Sequence, residues 1–482
     1  MKKIVFTLMA CLTIGFSFAQ TFNTTHSSHF AKESEKDIYN IHFPSAYGFT
    51  TLHHLDNVMM DNIKAMVLTK YDQDMKAGET MTFNLPKLGL RASDLQEVIE
   101  IDDKLIFLST VMDKKSAKHN LNAQVLSNND FSVSDNKVLA SFAIEKYSKS
   151  GFYNIAISPD NSKFAIIANM PFEKKTQEKV QIWVYDMQLN LLWEQSETLS
   201  YESDRSYDED LFFQNSGVVL ISKTIDAYKK SRNTKLLSFN GKGIETFDFS
   251  QDGFMPMNME LIDVNGLPML TGFFWNGKKA VVKINSKEGN DNDGAFLYDL
   301  GTKTLIGIHE WSDKLDASDF KSLQVVDVTV KGDDIYMIGE KYLYDSEFRK
   351  TGNTMSTDLD YLYTYGSSVI VNFDTKGTLK SFTPLFRSNQ YKNEAKEKGS
   401  FSTLFLENGL RVFSNNDNHI TMSSFFVDQR ETFNRPNVIP FDHGTSTVPN
   451  VIPHTVREVK DYAMVYYITQ YRDRYWFNKM TW

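Results

Sequence analysis

The stretch "QIWVYDMQLNLLWEQ" (residues 181–195) reads as one strand, a polar corner and a second strand. Ile182 to Tyr185 is β-branched and aromatic, Asp186 interrupts it, and Leu191-Leu192-Trp193 opens the next run. Immediately upstream, "NIAISPDNSKFAIIANM" (154–170) supplies two more apolar runs around the turn-forming cluster Ser158-Pro159-Asp160-Asn161-Ser162. Strands joined by such short polar corners must be antiparallel neighbours, because a parallel pair needs a long crossover. The region therefore reads as a four-strand meander.

The same corner recurs along the chain. An apolar strand ends near Asp or Asn, and a second strand follows, at Asp72, Asn128, Asp186, Asn240, Asp299, Asp374 and Asp428. The intervals are 56, 58, 54, 59, 75 and 54 residues, and only the fifth departs from the common spacing. It contains a polar, tyrosine-rich insertion, "KYLYDSEFRKTGNTMSTDLDYLYTYG" (341–366). About four strands per period is the pattern of an all-β protein built as a β-propeller of four-stranded antiparallel blades. Asp and Asn suit the corners because they hydrogen-bond their own backbone and tolerate left-handed angles. Runs such as "KFAIIANM" (163–170) are near-continuously apolar, as strands covered on both faces should be. Seven blades are expected, with the C-terminal segment 462–482 completing the blade containing Asp72. Eight are expected if it forms its own blade with "DIYNIHF" (37–43).

Ser158-Pro159-Asp160 followed by Lys163-Phe164-Ala165 resembles the blade corner of WD40-like, TolB-like and lactonase-like propellers, with Asn161-Ser162 in place of the usual glycine. The resemblance spans this one corner. It implies the propeller fold and no particular activity.

The chain opens with Lys2-Lys3, an apolar stretch from Ile4 to Phe18, and Ser17-Phe18-Ala19, the layout of a secretory signal peptide over residues 1–19. An N-terminal arm (20–45) and the propeller (46–482) are expected to follow. Export to the periplasm or to an outer-membrane-associated position follows from that leader. A lipid anchor at Cys11 is the less favoured variant. Cys11 is the single cysteine, so cleavage after Ala19 would leave a chain stabilised by packing alone. Basic residues number 52 and acidic ones 61; loss of Lys2 and Lys3 brings the formal charge from −9 to −11. That balance argues against nucleic acid as a partner, and no later segment is apolar for long enough to form a transmembrane helix. Met480, Trp476 and Trp482 faintly suggest a terminal barrel strand, but corners every fifty-odd residues do not fit a barrel.

Catalytic signatures are missing from the sequence. It has no G-x-S-x-G elbow, no Walker loop and no G-x-G-x-x-G, so neither catalytic residues nor cofactor-binding residues are assigned. His53-His54-x-Asp56 is the tightest histidine cluster, but adjacent strand residues face opposite ways. His26 and His29 fall in the expected arm. "GNDNDG" (289–294) places Asp291, Asp293 and Gly294 as a Ca2+ loop would, yet the first and twelfth positions are Gly289 and Leu300, so no metal ligand set is assigned and Ca2+ stays a weak cofactor reading. The acidic run "ESDRSYDED" (202–210), with Asp204, Asp208, Glu209 and Asp210, reads as a solvated stretch.

The expected function is therefore that of an exported, non-catalytic binding or scaffold protein of the bacterial cell envelope, offering rim and funnel loops to a protein or glycan. Tyr342, Tyr344, Tyr361, Tyr363 and Tyr365 of the insertion are the candidate partner-binding residues. The alternative is a propeller-fold hydrolase or lyase acting on glycans or lactones with a metal in the central funnel. It requires Asp, Glu, His or Asn side chains converging in the channel, whereas the binding reading requires an aromatic patch on a rim.

Overall fold

The computed structural model describes residues 23–28, 30–31, 36–57, 62–87, 93–113, 115–144, 151–171, 175–202, 206–225, 233–249, 254–276, 292–311, 322–351, 354–385, 387–393, 399–406, 409–416, 419–425, 437–438, 450–459, 462–471 and 474–482. Among them the named elements are strands, apart from a 3-10 turn at Pro453–Thr455.

Seven blades are each made of four antiparallel strands consecutive in the chain. Strands are counted outward from the axis. Blade 1 comprises Lys36–Ser45, Gly48–Asn57, Asn62–Asp72 and Ala77–Phe83; blade 2 comprises Asp94–Ile101, Lys104–Asp113, Lys118–Ser127 and Lys137–Ala143. Blade 3 comprises Phe152–Ile157, Lys163–Asn169, Gln177–Asp186 and Leu191–Glu202, and blade 4 Ser206–Phe213, Val219–Ile225, Asn233–Phe239 and Ile244–Asp248. Blade 5 comprises Met255–Val264, Leu267–Trp275, Gly294–Asp299 and Thr304–Glu310. Blade 6 comprises Leu323–Lys331, Asp334–Thr351, Thr354–Asp374 and Leu379–Leu385, with Asn389–Lys392 added on its third strand. Blade 7 comprises Phe401–Leu406, Gly409–Asn416, His419–Phe425 and Asn437–Val438.

The ends of the chain build one further sheet. Asn450–Val451 and Arg457–Val459 form its inner edge, Met464–Tyr471 and Arg474–Thr481 its middle, and Asn23–His26 with Phe30–Ala31 its outer edge. The C-terminal segment thus stands as its own sheet rather than completing the blade of Asp72. Its N-terminal partner is Asn23–His26, within the expected arm, and not residues 37–43, which lie in the first strand of blade 1.

Apolar clusters at every boundary close the ring. Leu68 and Phe107 share a buried cluster between blades 1 and 2, Phe142 and Phe164 one between 2 and 3, and Val184 and Phe213 one between 3 and 4. Leu236 and Phe296, Phe273 and Val371, and Ile338 and Val412 share the clusters at the next three boundaries. The closing sheet packs Tyr467 against Phe413 of blade 7 and Phe477 against Phe49 of blade 1. Each blade hides both faces this way, which explains the near-continuous apolar reading of second strands such as Lys163–Asn169, buried from Phe164 to Ala168.

The periodic corners are one structural device. In blades 1, 3, 4, 5 and 6, Oδ1 of Asp72, Asp186, Asn240, Asp299 or Asp374 accepts two backbone N–H bonds from the turn after the third strand. In blade 2 the side chain of Asn128 instead accepts the Thr50 hydroxyl at 2.9 Å, tying blade 2 to blade 1. Asp428 lies outside the described residues. Antiparallel order puts these corners and the strand 1–2 turns on one face of the ring, and the strand 2–3 connections on the other.

Candidate functional site

The described residues of the 341–366 insertion form a two-stranded ribbon. It lengthens the second and third strands of blade 6 to 18 and 21 residues, so that they run past the ring on the face opposite the corners. Tyr342 pairs across the ribbon with Tyr365, Tyr344 with Tyr363, and Ser346 with Tyr361. The side-chain period of two then places all five candidate tyrosines on one face. Asn389–Lys392 pairs with the same strand and brings Tyr391 opposite Tyr363. Ring centroids lie 5.2 Å apart for Tyr342 and Tyr365, 5.4 Å for Tyr344 and Tyr363, and 5.8 Å for the stacked pair Tyr344 and Tyr361. Exposure rises outward on the third strand, from 6 % at Tyr365 to 39 % at Tyr361, and reaches 55 % at Tyr344 on the second. Desolvation, followed by the neighbouring phenols, holds the hydroxyls of Tyr342, Tyr344 and Tyr365 above their ordinary pKa. The surface is a neutral row of hydrogen-bonding aromatics.

Polar contacts fix the ribbon to the blade. Arg387 and Glu340 form a buried ion pair at its base, the Ser400 hydroxyl donates to Glu340 at 2.6 Å, and the guanidinium lies 5.1 Å from the Phe401 ring centroid. Burial lowers the Arg387 pKa to about 10, which leaves it charged at neutral pH. Farther out, Lys392 meets Asp360 at 2.9 Å, and the Tyr361 backbone N–H donates to the Asn393 side chain at 2.8 Å. Gly399 packs flat against the Tyr365 ring, where a Cβ would overlap it.

A second feature lies in the channel and was not named from the sequence. The first strands of blades 3 to 6 line a cavity of about 580 Å³ that opens toward the corner face. Glu260 of blade 5 and Asp327 of blade 6 both reach it. Burial, and then the Asp327 charge, raises the Glu260 pKa. Burial raises that of Asp327 too, against the Thr403 hydroxyl, which donates to it from blade 7. The first strands of both blades carry a register shift, between Met257 and Met259 and between Val325 and Asp327, matched in blades 1, 2 and 4. Such bulges re-aim the residues that follow. The sequence sets acids among the apolar residues of these first strands, in "MELID" (259–263) and "VVDV" (325–328), but nothing local tells which of them reaches the channel.

Among the described residues the remaining motifs assemble no site. His53 and His54 lie opposite Val67 and Met66 in the second strand of blade 1. His26 bonds Asn478 at 2.6 Å in the closing sheet, and His29 lies outside the described residues. In "GNDNDG", Asp293 accepts the Asn276 backbone N–H at 2.8 Å, while 289–291 lie outside the described residues. Asp208 and Asp210 flank the bulge in blade 4, and Asp204 is not among the described residues. Among the described residues no three His, Cys, Asp or Glu side chains gather as a metal would need, and no helix is long and apolar enough to cross a membrane.

No family model matches the chain, and no curated protein matches it. Solved structures similar to it include the β-propeller domain of the Trilobed protease from Pyrococcus furiosus, at 11% identity and TM-score 0.39, covering 85% of this chain and 98% of that one. The WD40 domain of SCAP from fission yeast gives 10% identity and TM-score 0.38 over 95% and 98%. The polysaccharide lyase Uly1 gives 9% and 0.35 over 80% and 89%. Likeness at this level assigns no activity.

Proposed function

We propose that the chain is an exported, non-catalytic binding or scaffold protein of the bacterial cell envelope, and that the tyrosine ribbon of blade 6 is its contact surface for a protein or glycan. One observation carries the reading: Tyr342, Tyr344, Tyr361, Tyr363 and Tyr365 share one face of a ribbon that stands off the ring, with its outer rings exposed. Tyrosine offers a large flat apolar surface with a hydroxyl at its edge and loses little conformational freedom on binding. A ribbon pinned by Arg387, Glu340 and Asp360 meets a partner already ordered, which lowers the cost of association. The leader at residues 1–19 supports export, and the acidic charge favours an envelope partner over nucleic acid.

The test compares the intact chain with the Tyr344→Ser/Tyr361→Ser double variant, both expressed in the native cell and cross-linked before envelope extraction. A partner or polysaccharide that co-purifies with the first and is lost from the second, at equal melting temperature, is the expected result. Equal recovery by both chains would remove the ribbon from the function.

A further inference from the structure

We infer that the channel cavity is a second binding site, for a small organic cation with an ammonium or guanidinium head and an apolar stem. A volume of about 580 Å³ falls within the range of small-molecule pockets, roughly 300–1,000 Å³. Its lining divides into two parts. Ile155, Ile157, Val326, Val328 and Val330 give apolar walls, and Glu260, Asp263 and Asp327 supply carboxylates from adjacent blades, Asp263 being already occupied by the Asn215 side chain and the Gly266 backbone N–H. No Lys, Arg or His belongs to that lining. Among the described residues neither Glu260 nor Asp327 has a salt-bridge partner, and Asp327 takes only the Thr403 hydroxyl and a local backbone N–H. Two like charges facing one confined space disfavour each other, so a cation between them relieves the repulsion and gains two charge-assisted hydrogen bonds. The apolar walls hold a stem and give no advantage to a bare ion. The site lies toward the corner face and the ribbon on the opposite face, so a bound cation leaves the tyrosines free.

Isothermal titration calorimetry of the full chain at pH 7, with n-hexylammonium, n-hexanol and hexanoate as probes, tests this. Hexylammonium should bind at least about tenfold more tightly than hexanol, and hexanoate should not bind. Glu260→Gln/Asp327→Asn should erase the preference for the cation. Val326→Phe, which leaves both acids in place and fills the cavity, should abolish binding of all three probes. Far-UV circular dichroism and thermal melting confirm that each variant folds. Equal affinity for hexylammonium and hexanol, or hexylammonium binding that survives both variants, would overturn the inference. So would stabilisation by CaCl2 through Glu260 and Asp327 with no response to hexylammonium.

Discussion

Blade 3 and the closing sheet follow the same radial plan and differ in where their strands come from. Blade 3 takes four strands from one run, Phe152 to Glu202, each joined to the next by a turn that sets its register. The closing sheet joins Asn23–His26 to Arg474–Thr481 across more than four hundred residues, and nothing covalent fixes that register. Side chains take over the task. His26 bonds Asn478, the Ser27 hydroxyl receives the Phe477 backbone N–H at 3.0 Å, and Lys479 reaches the Gln73 carbonyl of blade 1 at 2.9 Å. At the inner edge, Arg457 donates to the Asn40 side chain at 2.7 Å and to the Ile41 carbonyl at 3.2 Å. His42 then contacts Glu100 of blade 2 at 2.8 Å. The comparison teaches that a repeated blade needs turn chemistry, while the seam needs long-range polar contacts added to packing.

The largest effects should come from the cores of the two regions. Phe164→Ala in blade 3 and Phe477→Ala in the closing sheet each empty a fully buried site and should cost about 3–5 kcal/mol in denaturant titrations. Hydrogen exchange should tell them apart. Loss of Phe477 is expected to expose the Asn23–His26 and Arg474–Thr481 amides before the rest of the ring, whereas loss of Phe164 should not single out the seam.

Cutting a seam contact comes next. Arg457→Met removes the bonds to Asn40 and Ile41 and leaves the Ile41 carbonyl short of a donor, an expected cost of about 2 kcal/mol in the same titration. The corner of blade 3 should respond less. Asp186→Ala gives up two backbone acceptor bonds, about 1 kcal/mol, the scale of a lost cap.

Acid sharpens the contrast. Partial burial pushes Asp186 upward, but Asn190 and the turn amides outweigh it and hold the carboxyl below its ordinary 3.8. Burial likewise opposes, and His42 and Arg457 overcome it, to hold Glu100 below 4.5. Both groups bind fewer protons folded than unfolded, so their stabilisation is present above the ordinary pKa and is lost as pH falls through the lowered one. Between pH 5 and pH 2 wild type should therefore lose stability faster than either Asp186→Asn or Glu100→Gln. With Glu100→Gln, the gain in acid resistance should appear first in exchange at the seam.

The contrast also marks what the sequence carries. Asp72, Asp186, Asn240, Asp299 and Asp374 were legible because the corner is local: one side chain serves the amides two to four residues ahead. The ribbon was legible as a surplus between Asp299 and Asp374, and its tyrosines fell on one face because they alternate. The partner of the closing sheet was not legible, since "NTTH" (23–26) carries no mark of a strand partner 452 residues away, where His26 finds Asn478. Glu260 and Asp327 were hidden for a related reason. Each follows a bulge whose register shift is defined only by the neighbouring strand.

Ring closure by the two chain ends is the claim on which the seam, the channel and the standing of the ribbon all depend. Thr25 and Lys479 are direct cross-strand partners in the closing sheet. In a Cys11→Ser background, Thr25→Cys/Lys479→Cys should form an intramolecular disulfide under mild oxidation and raise the melting temperature. Cysteines at those positions that stay reduced in the folded protein would contradict closure of the ring by the chain ends.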